Sequence, residues 1–318
     1  MKPRLYRLRK WYLDFLTPTQ EYCFVYLLEI SVLGVAYRSL TIHVADHVRR
    51  ERITKTIALR KVKEEPQSDT ESTFHFKGGH VVIGCDHCSI EVEVPGCVLR
   101  LAFDRAGELR SSPFVITGGR KRRILWEPLQ PVCNVSGKVS INDKIIDVDR
   151  YPGYVDYLES TFLPPVVPAR SLYWGRLHHS EIDLVYMRAS DRSATSVWSR
   201  MIARYDGTPS ASTDHVMVRD LSNGESRTAS IDLRGYAAEA QLEKAEIHLE
   251  VHHTAALQES SFIEHQNVRS AVACAILRKV TRDPRSTKWL SVADIRVRDG
   301  EMTREFRGIP LIDEYAML

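Results

Sequence analysis

The residues best equipped for chemistry lie between 151 and 176, in the stretch YPGYVDYLESTFLPPVVPARSLYWGR. One aspartate, Asp156, stands between Tyr154 and Tyr157, and a proline-stiffened passage then brings in Tyr173, Trp174 and Arg176. A carboxyl group among aromatic rings loses hydration, which favours its neutral, proton-donating form. In that form it donates to a carbonyl or an alkene, while Tyr and Trp faces stabilise a developing cation. The same residues also suit plain structure, with Asp156 paired to Arg176 or Arg170 and the rings serving as core.

Other groupings carry less. Cys85-Asp86-His87-Cys88 has the spacing that opens a zinc site or a redox pair. A zinc site needs a second ligand pair, which Cys97 and Cys133 do not supply. The motif falls between the strand-like runs HVVIG and IEVEV, so a turn with two free thiols is expected. His248, Glu250 and His252 share one face of a period-two strand, but Ile247, Leu249 and Val251 make the other face apolar, so the polar side is expected to meet solvent. Gly-x-Ser-x-Gly, Gly-x-Gly-x-x-Gly, phosphate-loop and His-Glu-x-x-His signatures are absent. Neither a metal nor a cofactor is expected.

The elements that must position these residues read as strands. SIEVEVPGCVLRLAFD (89 to 104), GKVSINDKIIDVD (137 to 149), EIDLVYM (181 to 187) and AEIHLEVHH (245 to 253) alternate in polarity or are rich in β-branched residues. Turn signals such as Gly78-Gly79, Asn142-Asp143, Asp206-Gly207 and Asp299-Gly300 punctuate them. Many short strands with frequent turns predict an all-β chain of sandwiches or barrels. One helical stretch is expected around 234 to 246, RGYAAEAQLEKAE, and 61 to 72 reads as a polar surface loop. Prolines break the pattern near 128 to 137 and again at 163 to 169. The expected units are an N-terminal β domain over 1–135 and a C-terminal one over 136–318.

Composition bounds the function. The chain has 318 residues, 43% hydrophobic and 27% charged, which is ordinary for a folded soluble protein. A net charge of +3, with basic clusters only at Lys2 to Lys10 and Arg120 to Arg123, gives no nucleic-acid footprint. The most apolar run, residues 22 to 37, contains Glu29 and falls short of the ~20 residues a spanning helix requires. A cytoplasmic location without stable membrane insertion is expected, and the sequence fixes no oligomeric state.

Two motifs resemble a known family. Gly153-Tyr154-x-Asp156, followed some twenty residues later by Trp174-Gly175-Arg176, resembles the central motif of the AttH-like, carotenoid 1,2-hydratase superfamily. Lys10-Trp11-Tyr12-Leu13-Asp14-Phe15 is similar to that family's opening Glu-Trp-Trp-Tyr-Phe-Asp segment. The resemblance implies two lipocalin-like β domains packed together, with a hydrophobic ligand pocket in or between them. Its members include carotenoid hydratases and fungal Diels–Alderases that fold a linear polyene and close it.

The departures matter as much. The family's central motif reads Gly-Tyr-His-Asp-His-Asn, whereas Val155 and Tyr157 occupy the histidine positions here. The hydratases use a carboxylate two residues after a Tyr on the next strand, and the corresponding place is Tyr186-Met187-Arg188. Adding water to an alkene needs a strong proton donor and a placed water. Losing both histidines and that acid therefore argues against a hydratase. Cyclisation asks only for a folded substrate and hydrogen-bond donors. The expected catalytic set is Asp156, Tyr154, Tyr157 and Arg188. The expected substrate-binding set is Trp11, Tyr12, Tyr173, Trp174, Arg176 and Tyr186, with Arg176 either clamping substrate or bracing Asp156. A cofactor-free terpene cyclase or Diels–Alderase is the leading reading. A lipid or pigment carrier and an isoprenoid hydratase or isomerase are the rivals.

Overall fold

The computed structural model describes residues 6–66, 72–106, 109, 113–118, 122–163, 167–191, 193, 197–205, 210–220, 235–242, 245–261 and 285–317. Every regular element among them is a strand. Lys2, Arg4, Arg120, Lys121, Cys274 and the Asp206-Gly207 turn lie outside the described residues. The chain divides into two compact units, Met1–Leu163 and Pro164–Leu318.

The first unit contains β1 (Tyr6–Leu16), β2 (Glu21–Val32), β3 (Val35–Asp46), β4 (Glu51–Leu59), β5 (Lys63–Pro66), β6 (Ser72–Phe76), β7 (Gly79–Ile83), β8 (His87–Val94), β9 (Cys97–Arg105), β10 (Phe114–Gly118), β11 (Arg122–Ile141) and β12 (Lys144–Ser160). They form one sheet in the order β4-β3-β2-β1-β12-β11-β9-β8-β7-β6-β5, with β10 added on β11. All pairings follow antiparallel hairpins except β1–β12 and β11–β9, the two contacts that bring distant parts of the chain together. Burial explains the order. Trp11, Leu13 and Phe15 of β1 join Cys23, Val25 and Leu27 of β2, Leu40, Ile42 and Val44 of β3, and alternate residues of β7 to β9 in a single apolar cluster. Burying such side chains contributes roughly 1.5–3 kcal/mol each, so the period-two pattern dictates which way each strand faces.

The second unit contains β13 (Ser171–His178), β14 (Ile182–Ser190), β15 (Val197–Tyr205), β16 (Ala211–Thr213), β17 (Val216–Asp220), β18 (Gly235–Gln241), β19 (Ala245–Ser261), β20 (Arg285–Asp299) and β21 (Met302–Met317). Their order is β16-β15-β14-β13-β21-β20-β19-β18-β17, a sheet that curls almost into a closed barrel. Its own core draws on Leu177, Leu184, Tyr186, Met201, Ile247, Leu249, Val251, Ile295 and Leu311. Both units are lipocalin-like β structures, as the motifs implied.

Three local expectations change. The stretch expected as helix forms strand from Gly235 to Gln241 and again from Ala245. There Ala238, Ala240 and Leu242 are buried while Glu239 is half-buried and Gln241 exposed, a period-two pattern that pairing with β19 enforces over helix propensity. Within the expected loop, Lys63–Pro66 is an edge strand paired with β6, and Pro66 sits at its end, where no ladder donor is needed. The units part at Leu163/Pro164 and not at 135/136. β11 runs through Pro128 and Pro131 because its register against β12 shifts between Pro128, Gln130 and Cys133, so the prolines bend the strand without ending it. Among the described residues no helix is long and apolar enough to cross a membrane, which leaves strands unaddressed.

Candidate functional site

The sheet of the first unit is buried on both faces around β1 and β12, and the second face is unlike the first. Register sets Tyr12 opposite Asp156, and Asp14 opposite Tyr154. Next to them, Tyr12 lies opposite Tyr26 of β2, and Asp14 opposite Phe24. All six side chains leave the sheet on the side away from the apolar cluster, and each is at most 7% exposed.

Hydrogen bonds tie this face together. Trp126 Nε1–H of β11 and Tyr154 O–H both donate to Asp156 Oδ2, each at 3.0 Å. Oδ2 therefore acts as acceptor in both. Asp14 Oδ2 receives the Tyr12 hydroxyl at 2.5 Å and the Tyr22 hydroxyl at 3.0 Å, and the two hydroxyls also contact each other. Burial first, and then the charge of Asp14, push the Tyr12 phenol well above its ordinary range. Tyr12 thus stays a donor at any physiological pH.

Rings share this face with the two carboxyls. Tyr12 lies 5.2 Å from Tyr26 and 6.1 Å from Tyr154, centroid to centroid, and Phe24 stacks on His43 at 4.6 Å. Lys10 Nζ stands 4.4 Å from the Tyr26 ring centroid, closing one end with a cation. Two acids, each held by hydroxyl or indole donors on one aromatic face, can position a substrate group and stabilise positive charge.

Gly153 permits this arrangement. A Cβ there would lie 2.3 Å from Val135 Cγ2 and 2.6 Å from the Asp14 carbonyl oxygen. Only a bare Cα lets β12 approach β1 closely enough to place Tyr154 and Asp156 against Tyr12 and Asp14.

The structure separates the other expected residues. Trp11 and Tyr157 point to the opposite, apolar face, 5.2 Å apart, and Trp11 meets Phe74 at 4.9 Å. Tyr157 does not orient Asp156, because adjacent strand residues face opposite sides; its hydroxyl donates to Glu159 at 3.2 Å. Burial and Glu159 push that phenol upward. Glu159 itself feels burial raising its carboxyl, but Arg7 and Arg123 outweigh it and hold the group below the ordinary glutamate range.

In the second unit, Trp174 and Arg176 are both 5% exposed and share one face of β13, where Lys288 Nζ stands 4.8 Å from the Trp174 ring and 2.6 Å from Glu314. Tyr173, Tyr186 and Arg188 take the barrel-interior face. Tyr173 packs 4.8 Å from Tyr315, and the Tyr186 ring covers Gly175, leaving no room for a Cβ. The interior also holds a cluster that sequence reading missed. Ser291 Oγ donates to Asp313 Oδ1 at 2.5 Å, His253 Nδ1 lies 2.9 Å from Ser291 Oγ, and Trp289 stacks on the imidazole at 4.6 Å. Asp14, Tyr22, Tyr26 and Trp126 were likewise missed. Asp14 sits two residues after Tyr12, the same Tyr-x-Asp spacing as Tyr154 and Asp156, and that repetition was the available signal.

Cys85 and Cys88 flank the β7–β8 turn, with Cys88 buried and its Sγ 3.1 Å from the Gly84 carbonyl. His248 and His252 sit on the outer face of β19, 3.5 Å from Glu239 and Glu250.

The chain matches no family model and no curated protein sequence. Solved structures share its fold. CghA superposes with a TM-score of 0.68 at 10% identity, covering 98% of this chain and 88% of that one. An AttH-like protein of Nitrosomonas europaea gives 0.58 at 11% identity over 98% and 92%. Kievitone hydratase of Nectria haematococca gives 0.52 at 9% identity over 97% and 88%. The expected likeness to the AttH-like superfamily is therefore present as a shared fold running the length of the chain.

Proposed function

We propose that this chain is a cofactor-independent enzyme that folds a hydrophobic polyene, terpenoid or polyketide and promotes its intramolecular cyclisation. One observation carries the reading: Asp156 is fixed by Trp126 and Tyr154 on a buried face panelled by Tyr12, Phe24 and Tyr26. The fold shared with CghA and kievitone hydratase supports an enzyme in general and leaves the reaction open.

Asp156 takes the central role, donating a proton or hydrogen bond to a substrate carbonyl. Trp126 and Tyr154 position it. Tyr12, kept protonated by burial, gives its one hydroxyl proton to Asp14 and serves as a fixed aromatic wall beside the acid. The rings restrict substrate rotors and stabilise developing positive charge, which accelerates a closure without any nucleophile. Trp11 and Tyr157 support the sheet from its apolar side. Tyr173, Trp174, Arg176 and Tyr186 serve the second unit.

The test is mass-resolved chromatography of linear polyenes bearing a terminal carbonyl, before and after incubation. Unchanged mass with shifted retention supports cyclisation. Unchanged mass and retention indicates a carrier, and a gain of one water a hydratase. The Asp156→Asn variant should lower turnover by about 10²-fold or more if the carboxyl acts as general acid. Unaltered turnover would remove Asp156 from the chemistry.

A further inference from the structure

The second unit carries a groove of about 970 Å³, within the range of small-molecule sites. It runs along the seam where β17 approaches β14 and β15. Val216, Val218, Ala240 and Ile247 reach it from the apolar core, so its inner wall belongs to the barrel interior. Arg188 borders the same space, continuing the inward row Ile182, Leu184, Tyr186 of β14.

Arg188 differs from the carboxylates and the other guanidinium groups on the wall. Asp214 pairs with Arg200, Glu246 with Arg298, Glu239 with His248, and Arg296 with Glu305. Arg188 has no carboxylate partner among the described residues, and its Nε is sealed from solvent without a hydrogen-bond acceptor. Its cross-strand neighbour Ser199 does not answer it, since that hydroxyl donates to the Asp214 carbonyl and accepts from the Val216 N–H. A partly buried guanidinium without an anion is unfavourable, and a bound anion relieves it with paired, charge-assisted hydrogen bonds.

We propose that this groove is a binding site for a long-chain amphiphile with one anionic head group, a carboxylate. The head is taken by Arg188 and the chain lies along Val216, Val218, Ala240 and Ile247. The site is independent of the cyclisation reading and stands on the second unit alone.

The whole chain is titrated with cis-parinaric acid, whose fluorescence rises in apolar surroundings, and the probe is competed with palmitate and with hexadecanol. Palmitate should displace it at least about tenfold better than hexadecanol, whereas equal competition overturns the proposal. Arg188→Gln and Arg188→Met should weaken parinarate binding about tenfold or more and abolish the preference for acid over alcohol. Arg188→Lys should fall between them and the unaltered protein. Arg188→Met should melt no lower than the unaltered chain, since it removes an unpaired charge; a lower Tm would mark Arg188 as structural and overturn the assignment. Failure of the unaltered protein to take up parinarate also overturns it. So does loss of binding in Arg298→Gln with Arg188→Gln unaffected, because the head would then sit at the rim.

Discussion

Replacing Gly153 with alanine tests how tightly β12 must sit on β1. The added methyl would lie 2.3 Å from Val135 Cγ2, 2.6 Å from the Asp14 carbonyl oxygen and 3.1 Å from Cys133 Sγ. The two side chains can adjust, but the carbonyl belongs to β1, which is held between β2 and β12 and cannot rotate away. Relief requires the strands to separate by several tenths of an ångström. Overpacking of this kind costs about 1–3 kcal/mol, and backbone involvement places Gly153→Ala at about 2–3. For a unit of this size each kcal/mol lowers Tm by roughly 2–4 °C, so a fall of about 4–12 °C is expected. Calorimetry measures it directly, and near-UV circular dichroism reports the Tyr12, Tyr154 and Trp126 rings that the separation disturbs. Val135→Ala alone also destabilises, by opening a void, yet it vacates space the new methyl can fill. The double variant should therefore be more stable than the sum of the singles by at least about 0.5 kcal/mol. A Gly153→Ala protein melting within about 1 °C of the unaltered chain would refute the close-approach argument, as would strict additivity of the pair.

Further outcomes follow from the same face and its surroundings. Asp156→Leu strands the Trp126 and Tyr154 donors in a buried setting at about 1–3 kcal/mol each, so it should destabilise far more than Asp156→Asn, whose amide oxygen can still accept both; equal denaturant midpoints would contradict the bonding described. Glu159 is held below its ordinary range when folded, so its ion pairs stabilise the first unit above the unfolded value of about 4.3 and are lost as pH falls through the lower folded value. Glu159→Gln should flatten the acid limb of stability against pH below about 4.3, and an unchanged limb would assign that limb to other groups.

Much of the fold was legible because strands announce themselves locally. The alternation in 89 to 104 matches β8 and β9, and the Asn142-Asp143 signal is a turn with Asn142 at a φ of 53°. The stretch at 234 to 246 misled because alanine and glutamate favour helices in isolation, whereas pairing with β19 decided the outcome. Of the site, Tyr154 and Asp156 were visible through their motif and Tyr12 through its neighbours. Trp126 was not, because it meets Asp156 only through the register of β11 against β12. Asp14 was signalled only by the repeated Tyr-x-Asp spacing, its place against Tyr154 being set by the long-range pairing of β1 with β12. Tyr157 and Trp11 looked equivalent to Tyr154 and Tyr12 by type. An odd offset along the strand, three residues for Tyr157 and one for Trp11, puts them on the opposite side of the sheet.

That offset bears on how such a protein can change over time. The notch at Gly153 admits β12 onto β1 in one alignment, since a shift of one residue would press Pro152 or Tyr154 against the Asp14 carbonyl. Inserting or deleting a single residue between Gly153 and Asp156 would turn the acid into the apolar side and bring Val155 or Tyr157 out to face Tyr12. Substitution leaves the alignment untouched. Positions 154 and 156, with their partners on β1 and β2, can therefore be exchanged one at a time for new chemistry, provided that the length of this segment is kept.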